Sequence, residues 1–392
     1  MIRSVVTRSL LGLALAAFAP PARAAEVPRV ASPLPALTLP APTGREAIGT
    51  ITVDLTIPER EEVFTERAGD ARKVVLQLWY PAARTRHCAR APYMDPVTAR
   101  TAVDSAGLPS GFQDRIATHA CTGAPPARHP RRWPVILFSH GLGATRFGYA
   151  TLFEDLASRG YLVVAIHHTY GSLMTVFADG TAAPWDDSRW RQDDEEKMMA
   201  NLPRNLEEWV ADAESVLAFL GRVDRGDAGS GGETAAFRGR LDLGRLGYAG
   251  HSFGGSSALL AASRDRRIRA AVDLDGRVVD TLKKPVRLAV PTLVLLSQES
   301  PRRGDFDPGP RDALAKVAGA NHASFSDSPL LRQAFGLPDT LAQKLAHPIA
   351  PLAGIALTRD ALASFFDCTL RGKERRCGDL RAGLAKVAST TP

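Results

Sequence analysis

Gly250-His251-Ser252-Phe253-Gly254-Gly255 can turn a serine into a nucleophile. A hydroxyl reacts only where a base takes its proton and donors receive the oxyanion that forms. The apolar run Arg245–Ala249 precedes the motif, and the alanine- and leucine-rich stretch Ser256–Ser263 follows it. Strand, turn and helix in that order are the setting in which G-x-S-x-G forms a nucleophile elbow. Glycines two residues to either side of Ser252 remove the Cβ atoms that so sharp a turn would bring into collision.

An elbow of this kind takes its partners later in the chain, acid first and histidine second. Only His322 and His347 follow Ser252. His322, in Gly319–Phe325 just past the apolar run Ala313–Val317, is the predicted base. His347 precedes Pro348, which favours a loop or helix boundary and a structural role. Three acids stay open: Asp275 and Asp273 at the end of the run Ile268–Leu274, and Glu299 after Thr292–Ser297. For the oxyanion, one amide is expected from Phe253, the residue after the nucleophile. The second is expected from Leu142 in Ser139-His-Gly-Leu-Gly143, with the Gly141 amide as the alternative. His140 reads as a brace of that turn. With His168 and Trp185 it is also assigned to the substrate-binding wall.

These residues need a scaffold that gathers strand ends. Ile51–Leu55 and Val74–Tyr80 read as a leading antiparallel pair. Val135–Ser139, Tyr161–Ile166, Leu246–Ala249, Ile268–Leu274 and Thr292–Ser297 are continuous apolar runs, as strands buried on both faces must be. Between them, Tyr149, Leu152, Phe153 and Leu156 recur at helical spacing, as do Leu206, Val210, Ala213, Leu217 and Leu220. The pattern predicts an α/β fold: a mostly parallel twisted sheet with helices on both faces. Sites in such sheets lie outside the carboxyl ends of the strands, where each candidate residue falls.

At 45% hydrophobic and 23% charged residues, the 392-residue chain has material for a large core and a solvated surface. Arg3 and Arg8, the apolar stretch Ser9–Ala19 and Ala22-Arg23-Ala24 have the order of a secretory signal peptide, predicted over residues 1–24. Its removal takes three of the 49 Lys and Arg and none of the 42 Asp and Glu, so the net charge falls from +7 to +4. No basic stripe points to nucleic acid. No stable membrane insertion is expected, while peripheral contact with an anionic lipid surface is compatible with the charge. Residues 25–43 are proline-rich and read as an extended linker or arm. Residues 44–392 read as one catalytic domain, in which 171–204, with Trp185 and Trp190, is a lid-like insertion. Export would oxidise the four cysteines. Of three pairings, Cys88–Cys121 and Cys368–Cys377 are expected, the first closing a loop between early strands and the second tying down the last helix.

The pieces Val74–Pro81, Val135–Gly143, Leu156–Ala165, Gly250–Gly255 and the Asp275 and His322 segments stand in that order along the chain. Together they resemble the platelet-activating factor acetylhydrolase-like branch of the α/β hydrolases. The resemblance covers roughly residues 48–370, and its most specific parts are His140–Gly143 and Gly250–Gly255. It implies an α/β-hydrolase fold and a serine carboxylester hydrolase needing no metal, and no cofactor is expected. It implies small-molecule ester or lipid substrates with short or modified acyl chains, including phospholipid sn-2 acyl groups. It also implies an acid just after the strand that follows the elbow helix, which favours Asp275. Two departures stand out: His167 replaces the acid expected before His168, and 171–205 has no counterpart in the pattern. A triad does not name its leaving group, so amide or polyester cleavage is the alternative within the enzyme class. A binding protein that keeps the fold without turnover is the alternative outside it.

Overall fold

The computed structural model describes residues 34–84, 87–185, 195–227, 232–277, 288–300, 311–338 and 345–388. Residues 1–24 (read from the sequence as a signal peptide), the first part of the proline-rich stretch and Trp190 lie outside them. In chain order the strands are β1 (Leu37–Thr38), β2 (Ala47–Glu61), β3 (Ala71–Ala82), β4 (Ile116–Ala117), β5 (Cys121–Thr122), β6 (Trp133–Ser139) and β7 (Leu162–His167). After them come β8 (Met174–Val176), β9 (Ala182–Pro184), β10 (Leu241–His251), β11 (Ile268–Leu274), β12 (Thr292–Leu296) and β13 (Ala313–Lys316). The helices are α1 (Pro96–Ala106), α2 (Ala150–Ser158), α3 (Glu195–Arg225), α4 (Phe253–Arg264), α5 (Ser328–Ala334), α6 (Pro351–Thr369) and α7 (Glu374–Val387).

Among the described residues, nine strands form one sheet in the order β13-β12-β11-β10-β6-β7-β3-β2-β5. From β13 to β7 every pairing is parallel; β7–β3 and β3–β2 are antiparallel. This is the α/β-hydrolase arrangement, and the runs that read as buried strands form its middle. Alternate residues of β6 supply two cores. Val135 and Leu137 pack on the face covered by α3 and α4, and Ile136 and Phe138 on the face covered by α2 and α6. With both faces covered, a strand has no polar side to show, which is why alternation is missing from its sequence.

The later part of the proline-rich stretch is an arm laid on the sheet domain. β1 pairs with β4, Leu39 is buried, and Arg359 donates to the Pro40 and Ala41 carbonyls. Cys88 is bonded to Cys121 and Cys368 to Cys377, which ties α6 to α7. The stretch 171–204 divides differently from the sequence reading. It holds the β8–β9 hairpin, and α3 begins at Glu195, well inside it. Among the described residues no helix is long and apolar enough to cross a membrane.

Candidate active site

Ser252 sits between β10 and α4 with φ 55° and ψ −122°, a conformation that costs a residue with a side chain free energy. Its surroundings enforce the turn. A Cβ on Gly250 would stand 2.2 Å from the Gly254 carbonyl, and one on Gly254 would stand 2.2 Å from the Ser139 carbonyl oxygen. Bare glycines let α4 start directly against the ends of β10 and β6. The Ser252 N–H donates to the Leu274 carbonyl at 2.8 Å, which fixes the elbow to the end of β11.

Asp275 follows β11 with φ 58°. Its Oδ2 receives the His322 Nδ1 proton at 2.7 Å, and its Oδ1 receives the Ser297 N–H at 2.9 Å. Burial alone would raise this carboxyl. The hydrogen bond and charge of His322, with the Ser297 N–H and the Ser300 hydroxyl, outweigh burial and hold it below the usual carboxylate range. The other two acids lie elsewhere in the hydrogen-bond pattern. Asp273 Oδ1 accepts the Gly276 N–H at 2.7 Å, and burial pushes its carboxyl up to about 8. Glu299 Oε2 is buried with no hydrogen-bond partner among the described residues. His347 is exposed in a turn beside Gly319.

The turn after β6 comes within van der Waals reach of the serine: a Cβ on Gly141 would stand 3.3 Å from Ser252 Cβ. Three of its amides have acceptors. Gly141 N–H donates to Tyr149 Oη at 3.2 Å, Gly143 N–H to the Gly171 carbonyl at 2.9 Å, and Ala144 N–H to the Gly141 carbonyl at 3.0 Å. Leu142 N–H has no acceptor among the described residues. That amide shares its peptide plane with the Gly141 carbonyl, which His140 Nδ1 also holds, at 2.7 Å. Gripping the oxygen end of a planar unit aims its N–H end the opposite way.

His140 and His168 are corrected from substrate wall to buried supports, because neither ring has accessible surface. His140 Nε2 meets the Ser172 hydroxyl at 2.8 Å, and burial lowers the ring to about 3, so it is neutral. His168 bonds Asp212 Oδ2 through Nδ1 at 2.8 Å and Ser139 Oγ through Nε2 at 2.8 Å, stacked 3.9 Å from Trp209. Trp185 is half-buried against the core, and its backbone N–H donates to the Leu173 carbonyl.

Sequence reasoning misses Tyr149 and Asp212, and also that His251 is buried with both ring nitrogens hydrogen-bonded. In sequence Tyr149 shows only as a helix-face residue. Asp212 carries a usable signal, since it is an acid inside the apolar face made by Trp209, Val210, Ala213 and Val216.

A family model for platelet-activating factor acetylhydrolase, isoform II, matches residues 113–345. A platelet-activating factor acetylhydrolase of Canis lupus familiaris is 30% identical over 164 residues, 38% of this chain and 36% of that one. One of Bos taurus is 24% identical over 266 residues, 60% of this chain and 58% of that one. The matches thus span less than two thirds of these relatives' lengths. A solved ferulic acid esterase from Streptomyces cinnamoneus superposes with a TM-score of 0.70 at 29% identity, covering 86% of this chain and 94% of that one.

Proposed function

The chain belongs to the platelet-activating factor acetylhydrolase, isoform II, family, and we propose that it is a serine carboxylester hydrolase working through Ser252, His322 and Asp275. The observation that carries this reading is the His322–Asp275 hydrogen bond at 2.7 Å beside a strained serine elbow. Ser252 Oγ attacks the ester carbonyl carbon while His322 Nε2 takes its proton. The Leu142 and Phe253 amides receive the oxyanion. Collapse expels the alcohol, which leaves with the proton from His322. Water, deprotonated by the same ring, then attacks the acyl-enzyme and releases the acid.

Substrates are small esters with short or modified acyl chains, phospholipid sn-2 esters among them. The family supports this class, and the coverage of the esterase neighbour supports aromatic acyl groups within it. The reaction is placed outside the cytosol, a reading supported by residues 1–24 and by two disulfides. A fluorophosphonate should label wild type on Ser252 and leave Ser252→Ala unlabelled. The same substitution should cost on the order of 10³ or more in kcat on p-nitrophenyl acetate. An unlabelled wild type, or a fully active alanine variant, would remove the proposal. A panel of acetyl phospholipid, feruloyl ester and amide then ranks the acyl and leaving groups.

A further inference from the structure

His251, the residue immediately before the nucleophile, is buried, and both of its ring nitrogens are engaged. Nε2 lies 2.8 Å from the His322 carbonyl oxygen. A carbonyl can only accept, so Nε2 carries the proton. Burial lowers the ring to about 3, so it is neutral and Nδ1 is bare. Tyr149 Oη, 2.8 Å from Nδ1, must therefore donate to it. The same Tyr149 oxygen accepts the Gly141 N–H at 3.2 Å. Every donor and acceptor along this path has one consistent role: Gly141 N–H to Tyr149 Oη, Tyr149 O–H to His251 Nδ1, His251 Nε2–H to His322 C=O.

We infer that Tyr149 and His251 are positioning residues that hold the oxyanion turn and the His322 loop at a fixed separation across Ser252. This rests on the proposed Ser252–His322–Asp275 reaction. The two ends of the path belong to segments that act on opposite sides of the same carbonyl. Gly141 immediately precedes the Leu142 amide, and His322 is the base. Both loops start from different strands, β6 and β13, so the sheet alone does not set the distance between them to the tolerance that catalysis needs. A misplacement of 1 Å can cost about 10²-fold. The bridge is anchored at its middle, since His251 is the last residue of β10 and the Tyr149 ring packs 4.8 Å from Phe138.

Neither residue touches the reacting atoms in this scheme, so the effect should appear in kcat rather than KM. Tyr149→Phe keeps the ring and deletes the hydroxyl. It should lower kcat on p-nitrophenyl acetate about tenfold or more, with KM within about twofold and an unchanged melting temperature within a few degrees. His251→Gln, whose amide N–H can still reach the His322 carbonyl, should retain more kcat than His251→Leu. Ring ¹⁵N spectra should show the Nε2–H tautomer in wild type. Wild-type kcat in Tyr149→Phe, a loss confined to KM, or equal kcat in the glutamine and leucine variants would overturn the inference. Fluorophosphonate labelling of wild type separates the two failures. Without labelling the reaction itself is wrong; with labelling and an indifferent Tyr149→Phe, only the bridge is wrong.

Discussion

Two Asp–His–Ser arrangements stand at the ends of neighbouring strands of this sheet, and only one is proposed to do chemistry. Asp212, His168 and Ser139 are joined by hydrogen bonds of 2.8 Å and 2.8 Å. Asp275 and His322 are joined at 2.7 Å beside Ser252. Ser139 pairs in register with Gly250, two residues before Ser252, so the two sets are close neighbours. Their surroundings differ. Ser139 Oγ also meets Tyr248 Oη at 2.7 Å, and Asp212 also takes Arg72 at 2.6 Å and Arg60 at 2.7 Å. All three members of that set are fully buried. The His322 side chain is 32% exposed, and among the described residues no guanidinium competes for Asp275. The same three residue types serve as an internal strut when every hydrogen-bonding capacity is filled. In the proposed reaction they serve as a reaction centre because one face of the imidazole is left open.

Substitution should separate the two sets by what each loses. Asp275→Asn should cost about 10⁴ in kcat by releasing the wrong imidazole tautomer, whereas Glu299→Gln should leave kcat within a few-fold. The reverse ranking would transfer the acid role to Glu299. Asp212→Asn should act on stability first. It strips the main partner from a fully buried Arg72, and breaking such a pair costs about 3–5 kcal/mol. Urea denaturation checks this. An Asp212→Asn protein as stable as wild type would mean that Glu62, 2.8 Å from Arg72, already suffices. Ser139→Ala should cost about 1 kcal/mol, the usual net value of a buried hydrogen bond, with kcat near wild type. A 10³-fold loss there would make the buried set part of the reaction.

The sequence carries the frame of this comparison better than its contents. Strand β11 is legible to the residue, Ile268–Leu274, because continuous apolar runs are what a doubly covered strand requires. Ser252 and His322 can be named as candidates because the elbow dictates the order along the chain, whereas the preference for Asp275 over Asp273 and Glu299 comes from the family resemblance. The buried set is harder to see. Asp212 lies 44 residues from His168 and 140 from Arg72, a distance that no local pattern spans. His140 and His168 read as substrate contacts because they stand at strand ends. Standing at a strand end does not tell a ring that faces solvent from one sealed beneath the turn. The start of α3 escapes the sequence because Pro203, a helix breaker, stands inside it, although Met198, Leu202 and Leu206 already keep helical spacing.

Asp273 offers a third environment two residues from Asp275, and its effect on stability should be the most dependent on pH. Asp275 is lowered because His322 and two further donors oppose burial. Asp273 has the Gly276 N–H to oppose burial, and the Asp275 charge works with burial, so its carboxyl rises to about 8. The signs of the two contributions are opposite. For Asp275 the native state binds its proton more weakly than the unfolded chain does. Its contribution is present above the ordinary carboxylate range near ~4 and is lost as pH falls towards the folded value. For Asp273 the native state keeps a proton that the unfolded chain has already released. Between about 4 and about 8 its contribution therefore falls as pH rises, and it levels off above that. Asn in its place can still accept the Gly276 N–H through its carbonyl oxygen and never ionises. Asp273→Asn should therefore lose less stability than wild type between pH ~6 and ~8, with kcat little changed. Urea midpoints at the two pH values, taken for both proteins, isolate the difference from the histidines and from Asp327, a second carboxyl that burial pushes up, to about 7, since both proteins share them. Parallel changes in the two proteins would mean that Asp273 is ionised in the fold. Burial without a cation would then not be what distinguishes it from Asp275.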